Sequence, residues 1–90
     1  MSDAYYLGTA VKITAILDID TADSAKITIK NPSGVKMVSD ADMTKEKDRV
    51  YYYIYQSDED DSEGTYKIII EITYGSYTSV AESTIDFIEQ

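Results

Sequence analysis

The chain has 90 residues, enough for one domain with a modest hydrophobic core and too few for two. Seventeen acidic residues against eight basic ones give a formal charge of −9, which disfavours nucleic acid and anionic membrane surfaces, because both require a basic stripe. There is no histidine and no cysteine, so the commonest general base, the histidine-activated serine, the thiolate nucleophile and the disulfide are all excluded.

Period-two alternation in short runs, broken by turn residues about every ten positions, predicts an all-β domain spanning residues 1–90. A short leading strand uses Ala4 to Leu7 and breaks at Gly8. The next, Thr9 to Asp18, sets Val11, Ile13, Ala15 and Leu17 on one face against Lys12, Thr14 and Ile16 on the other. Asp18 to Asp23 is a polar turn, and Ser24 to Lys30 is the third strand, with Ala25, Ile27 and Ile29 inward. Asn31-Pro32-Ser33-Gly34 is a turn, because proline presets φ at its second position and glycine releases the chain at its fourth. Val35 to Val38 is a brief strand. Ser39 to Lys47 is polar and ambiguous, with room for one helical turn over Asp40 to Lys47, and is read as the cross-over between two sheets.

Arg49 to Gln56 carries valine, isoleucine and four tyrosines, all suited to a pleated surface. After the acidic loop Ser57 to Gly64, a strand places Tyr66, Ile68, Ile70 and Ile72 inward. Tyr74-Gly75-Ser76-Tyr77 makes a hairpin into a last strand, Tyr77 to Ile88. That strand breaks phase: Val80 has the opposite parity from Ile85 and Phe87, so Val80 faces out or a bulge near Glu82 shifts the register.

Three stretches carry a family likeness: Leu7-Gly8-Thr9-Ala10-Val11-Lys12-Ile13, Ile27-Thr28-Ile29-Lys30-Asn31-Pro32-Ser33-Gly34 and Gly64-Thr65-Tyr66-Lys67-Ile68. Together they resemble bacterial and viral immunoglobulin-like modules, including macroglobulin-type domains and small prophage-encoded sandwich proteins. The paired cysteines and core tryptophan of antibody domains are absent, and Ile68 stands where the second cysteine would fall. The resemblance implies an immunoglobulin-like antiparallel β-sandwich of about seven strands. It also implies a tyrosine corner at Tyr66, whose hydroxyl would return to the backbone of the preceding loop.

Catalysis is not expected. Carboxylates alone would have to carry it, and no insertion builds a cleft around any acidic cluster. Four glycines scattered through turns make no phosphate-cradling loop. Asp18, Asp20 and Asp23 form one oxygen-rich cluster and Asp58, Glu59, Asp60, Asp61 and Glu63 another. Neither follows the calcium-loop pattern, because the sixth positions are Asp23 and Glu63 in place of glycine and the twelfth are Ile29 and Ile69 in place of glutamate. Both are read as solvated turns, and no metal or cofactor is expected.

Nine tyrosines are the remaining signal. On the Arg49 to Gln56 strand one face carries Val50, Tyr52 and Ile54 and the other Tyr51, Tyr53 and Tyr55. The family pattern turns the tyrosine-only face inward, whereas hydrophobicity turns the valine-isoleucine face inward. Tyr51, Tyr53 and Tyr55, with Ile69 on the outward parity of its own strand, are the candidate contact residues for a protein partner or a second copy. The expected function is a non-enzymatic structural or protein-interaction module, such as an accessory immunoglobulin-like domain of a virion, prophage or cell surface. The alternative is a carbohydrate-binding module that stacks sugars on exposed tyrosines, with or without calcium. No run is apolar for long enough to span a bilayer, and Met1-Ser2-Asp3-Ala4 lacks the features of a secretory signal, which favours a cytoplasmic product or virion component over an excised surface domain.

Overall fold

Eight strands account for most of the residues, 4–89, that the computed structural model describes. They are β1 (Ala4–Tyr6), β2 (Ala10–Ile16), β3 (Ser24–Lys30), β4 (Lys36–Asp42), β5 (Thr44–Lys47), β6 (Val50–Gln56), β7 (Gly64–Tyr74) and β8 (Tyr77–Ile88). One sheet has the order β1-β8-β7-β3-β4 and the other β2-β6-β5. This is an immunoglobulin-like sandwich: β2, β6 and β5 stand where strands B, E and D do, and β3, β7 and β8 where C, F and G do. All pairings are antiparallel except that of β1, which runs parallel to β8 from Ala4 opposite Asp86 to Tyr6 opposite Ile88.

The polar stretch over Ser39 to Lys47 holds no helical turn. β4 runs on to Asp42, and a single residue, Met43, separates it from β5 in the opposite sheet. Met43 is buried and its N–H donates to the Ala25 carbonyl at 2.9 Å, so an apolar anchor sits at the crossing itself. A bulge opens the way to it: Asp40 has φ of 48°, and Thr28 Oγ1 accepts from its N–H at 3.1 Å and donates to its carboxylate at 3.3 Å. A short polar residue tolerates that left-handed backbone when it gains local hydrogen bonds. Neither Asp40 nor Met43 carries an alternating pattern, which is why this region reads as irregular in the sequence.

The Asn31 turn closes on its own side chain. Asn31 Oδ1 accepts from Ser33 and Val35 at 3.0 and 2.9 Å, and the Gly34 N–H donates to the Asn31 carbonyl at 2.9 Å. β7 and β8 pair continuously from Gly64–Phe87 to Tyr74–Tyr77, with no register shift at Glu82, and Val80 points outward.

The core is lopsided. Leu7, Tyr66, Phe87, Ile27 and Ile29 are its most completely buried side chains, and Val11, Tyr55, Ile68 and Ile85 pack with them. Phe87 is the hub: the Tyr66 ring meets it edge-on at 4.9 Å, and Tyr55 and Tyr5 lie at 6.0 and 6.3 Å. These residues close the end of the sandwich where β1, β2 and β7 meet. Toward the other end the inward positions of β8 are Ala81, Ser79 and Tyr77, all exposed, and Ile70 and Ile72 are only half-buried. Small side chains on β8 and the early end of β1 leave that half of the sandwich without a lid.

Candidate interaction surface

The tyrosine stripe is not the contact face. Contrary to their expected role as contact residues, Tyr51 and Tyr55 are each 6 % exposed and belong to the core, and Tyr53 packs against it half-buried. The opposite face, with Tyr52 half-buried and Ile54 56 % exposed, looks outward. Hydrophobicity misorders the two faces because a tyrosine ring is apolar along its length and polar only at its tip. The Tyr51 hydroxyl reaches the rim of the core and accepts from the Ala22 N–H at 2.9 Å, which ties the loop after β2 to β6. Burial, with the Asp61 carboxylate secondary, pushes the Tyr55 hydroxyl up to about 12.

Ile69 is half-buried on the outer face of the larger sheet, between Thr28 of β3 and Glu82 of β8. The body of that sheet separates it from the tyrosine stripe. The structure therefore does not assemble Tyr51, Tyr53, Tyr55 and Ile69 into one patch.

Tyr66 is fully buried, and its hydroxyl donates to the Ser62 carbonyl at 2.7 Å, spanning the loop between β6 and β7. Burial, and secondarily Asp61, raises the pKa of that hydroxyl. Ser57, which the alternation did not single out, is the second anchor there. Its hydroxyl donates to the Thr9 carbonyl at 2.7 Å and accepts from the Gly8 N–H at 3.0 Å, joining this loop to the β1–β2 turn.

The acidic clusters serve as loop caps at opposite ends of the sandwich. Asp23 accepts from the Gly75 N–H at 2.7 Å, linking the β2–β3 loop to the β7–β8 hairpin. Asp58 accepts from the Asp60 N–H and Asp61 from the Asp58 N–H, at 2.9 and 3.0 Å. Among the described residues no three acidic side chains converge as a cation site would need.

What the surface does offer is a groove of about 570 Å³ at the open end. Its floor is Ile70 and Ile72 of β7, one wall is Thr14 to Ile19, and the other is Tyr77, Ser79, Val80 and Ala81 of β8. The lining is chiefly apolar, with Asp18 its one charged residue. Two residues flanking it break the alternation of their strands. Ile16, 80 % exposed, stands on the Lys12–Thr14 parity of β2, and Val80, 60 % exposed, on the Glu82 parity of β8. Those off-pattern apolar residues are the sequence signal that marks the groove.

The backbone along the groove is as distinctive as its side chains. β2 is an edge strand, and in the complete immunoglobulin order strand A would lie beside it. β8 is covered by β1 only from Asp86 to Ile88, so from Tyr77 to Glu82 its outer edge has no partner strand among the described residues. The other edges are guarded. β4 is bulged and carries Lys36, Asp40 and Asp42; β5 reads Thr44-Lys45-Glu46-Lys47. On β2 the single charge, Lys12, leans back over the Tyr52 ring at 4.8 Å to meet Glu46 at 2.6 Å, away from the free edge.

No protein-family model matches the chain, and a search of curated proteins likewise returns no match. Among the described residues no helix is long and apolar enough to cross a membrane.

Proposed function

We propose that this chain is a non-catalytic protein-interaction module whose contact surface is the open end of the sandwich, between β2 and the β7–β8 hairpin. The observation that carries this reading is the coincidence of an apolar groove with two unguarded strand edges, when the remaining long edges are charged or bulged. An exposed apolar patch rimmed by polar residues marks a binding surface, and a free flat edge without charges, bulges or prolines to block it invites pairing. Sugar stacking finds less support, because Tyr51 and Tyr55 turn into the core.

Photo-crosslinking tests the reading. Benzoylphenylalanine placed at Ile16 or Tyr77, in the cells that express the protein, is expected to trap a partner polypeptide. The same group at Lys36 or Lys47, on the guarded edges, is expected to trap none. Adducts confined to Lys36 and Lys47 would overturn the assignment.

A further inference from the structure

We infer that a second copy of this chain docks at the closed end of the sandwich, where the lysine row Lys30, Lys36 and Lys67 of one copy meets Glu59, Asp60 and Glu89 of the other. The contact lies at the opposite end from the groove and does not depend on it. Pairing in the larger sheet sets Lys30 directly opposite Lys36 on one side and Lys67 on the other, and the neighbouring Ile29 and Ile68 point into the core. Three ammonium groups therefore stand in one line on the outer face. Directly opposite residues hold their Cβ atoms about 4.5 to 5.5 Å apart, and like charges so placed destabilise a sheet. Lys12, Lys26 and Lys45 each have a carboxylate at 2.6 to 3.0 Å, whereas among the described residues Lys30, Lys36 and Lys67 have none. Of the two acids diagonal to Lys67 on β8, Asp86 accepts from the Thr65 hydroxyl at 2.7 Å and Glu82 lies across from Ile69. Edge protection accounts for Lys36 alone, because β3 and β7 are interior strands.

The complement sits at the same end. Pro32, two residues after Lys30, packs against Gly64, three residues before Lys67, so the acidic loop that ends at Gly64 borders the row. In that loop Asp58 and Asp61 accept backbone N–H groups, whereas the carboxylates of Glu59 and Asp60 hold no such bond among the described residues. With Glu89 they rim a depression of about 230 Å³ over Leu7. All three are exposed, and they do not converge closely enough for a metal ion. Each half relieves the like-charge repulsion in the other, and because every copy carries both halves, a two-fold arrangement makes the contact twice. Two bodies of formal charge −9 repel at long range, but about 0.15 M salt screens that repulsion beyond about 8 Å and screens touching pairs less. Exposed pairs are individually weak, which places half-association in the range of about 0.1 to 1 mM. Benzoylphenylalanine at Lys36 removes one charge of the row, so that control stays silent at cellular concentration.

Sedimentation equilibrium and amide shifts, followed from about 20 μM to about 2 mM in about 0.15 M salt, read the association. The wild type is expected to approach dimer mass, with shifts along the lysine row and the acidic rim, and to return to monomer in about 1 M salt. Two variants follow: Lys30→Glu with Lys36→Glu and Lys67→Glu, and Glu59→Lys with Asp60→Lys and Glu89→Lys. All six positions lie outside the core, so both are expected to keep the wild-type amide dispersion. At two charges per reversal, the formal charge moves from −9 to −15 in the first and to −3 in the second. Each alone is expected to weaken self-association at least about tenfold, and an equimolar mixture is expected to restore it, since each then supplies what the other lacks. Net charge alone predicts the reverse for the second variant, which at −3 would associate more tightly than the wild type. A wild type still monomeric at the highest concentration, variants that associate as it does, tighter association at −3, or a mixture that stays monomeric would each overturn the inference. So would shifts confined to the groove, which would put the self-contact at the open end. Capture of a glutamate hexapeptide by the row of a monomeric wild type would assign it to a foreign acidic chain and overturn the self-contact too. Crosslinks at Ile16 and Tyr77 are expected to be unchanged by either variant, so this inference and the module reading fail separately.

Discussion

Gly64 and Pro32 share one space: a methyl group built on Gly64 would lie 2.8 Å from Pro32 Cγ. The proline belongs to the turn after β3 and the glycine opens β7, so this contact seats the turn against the start of the strand that carries Tyr66. Gly64 also holds φ of 133°, a backbone that other residues rarely adopt. Gly64→Ala is therefore expected to cost about 2 to 4 kcal/mol, the sum of strain and overpacking against a rigid ring. Urea denaturation checks this. Adding Pro32→Ala removes the 2.8 Å contact with Cγ and keeps the milder 3.2 Å contact with Cβ, so it should recover most of the steric part and leave the backbone part; complete recovery would show that φ carries no strain.

The Tyr66 hydroxyl and the Ser62 carbonyl set the second test. Tyr66→Phe keeps the ring against Phe87 and removes only the 2.7 Å hydrogen bond, with an expected loss of about 1 to 2 kcal/mol. Ser62 is exposed, so water is able to replace the lost donor and the lower end of that range is expected. An unchanged urea midpoint would show that the hydroxyl contributes nothing to the loop.

Tyr51 separates packing from hydrogen bonding. Tyr51→Phe frees the Ala22 N–H and is expected to cost about 1 kcal/mol, with faster amide exchange confined to the loop after β2. Tyr51→Ala also empties core volume and should cost about 3 to 5 kcal/mol. At an outward position of the same strand, Ile54→Ala should change stability by about 0.5 kcal/mol or less. Similar losses at Tyr51 and Ile54 would contradict the inward orientation of the stripe.

Alkaline pH probes Tyr55. Its folded pKa, about 12, stands above the ordinary value of 10.0, so the neutral hydroxyl is favoured by the fold. That contribution is fully present below pH 10 and disappears as pH rises toward 12, because ionisation is easier in the unfolded chain. The stability of the wild type should thus fall more steeply between pH 10 and 12 than that of Tyr55→Phe. Parallel profiles would show that Tyr55 does not contribute.

The sequence by itself determined the sandwich, most strand boundaries and the corner at Tyr66. Alternation is a local property, and a turn such as Asn31-Pro32-Ser33-Gly34 is closed by its own side chain and backbone. It also carried the trace of the groove in Ile16 and Val80, two apolar residues out of phase with their strands. Tertiary structure decided three things that local pattern does not encode. The orientation of β6 depends on where the tyrosine hydroxyls find partners, and Ala22, 29 residues away, supplies the one for Tyr51. The strand crossing at Met43 depends on Thr28 receiving a bulged Asp40. The open end exists because, among the described residues, β1 covers three residues of β8 and β2 has no neighbour on its outer side, relationships between strands far apart in the chain. Periodicity reports which face of a strand is apolar; only the assembled sheets show which edges are left without a partner.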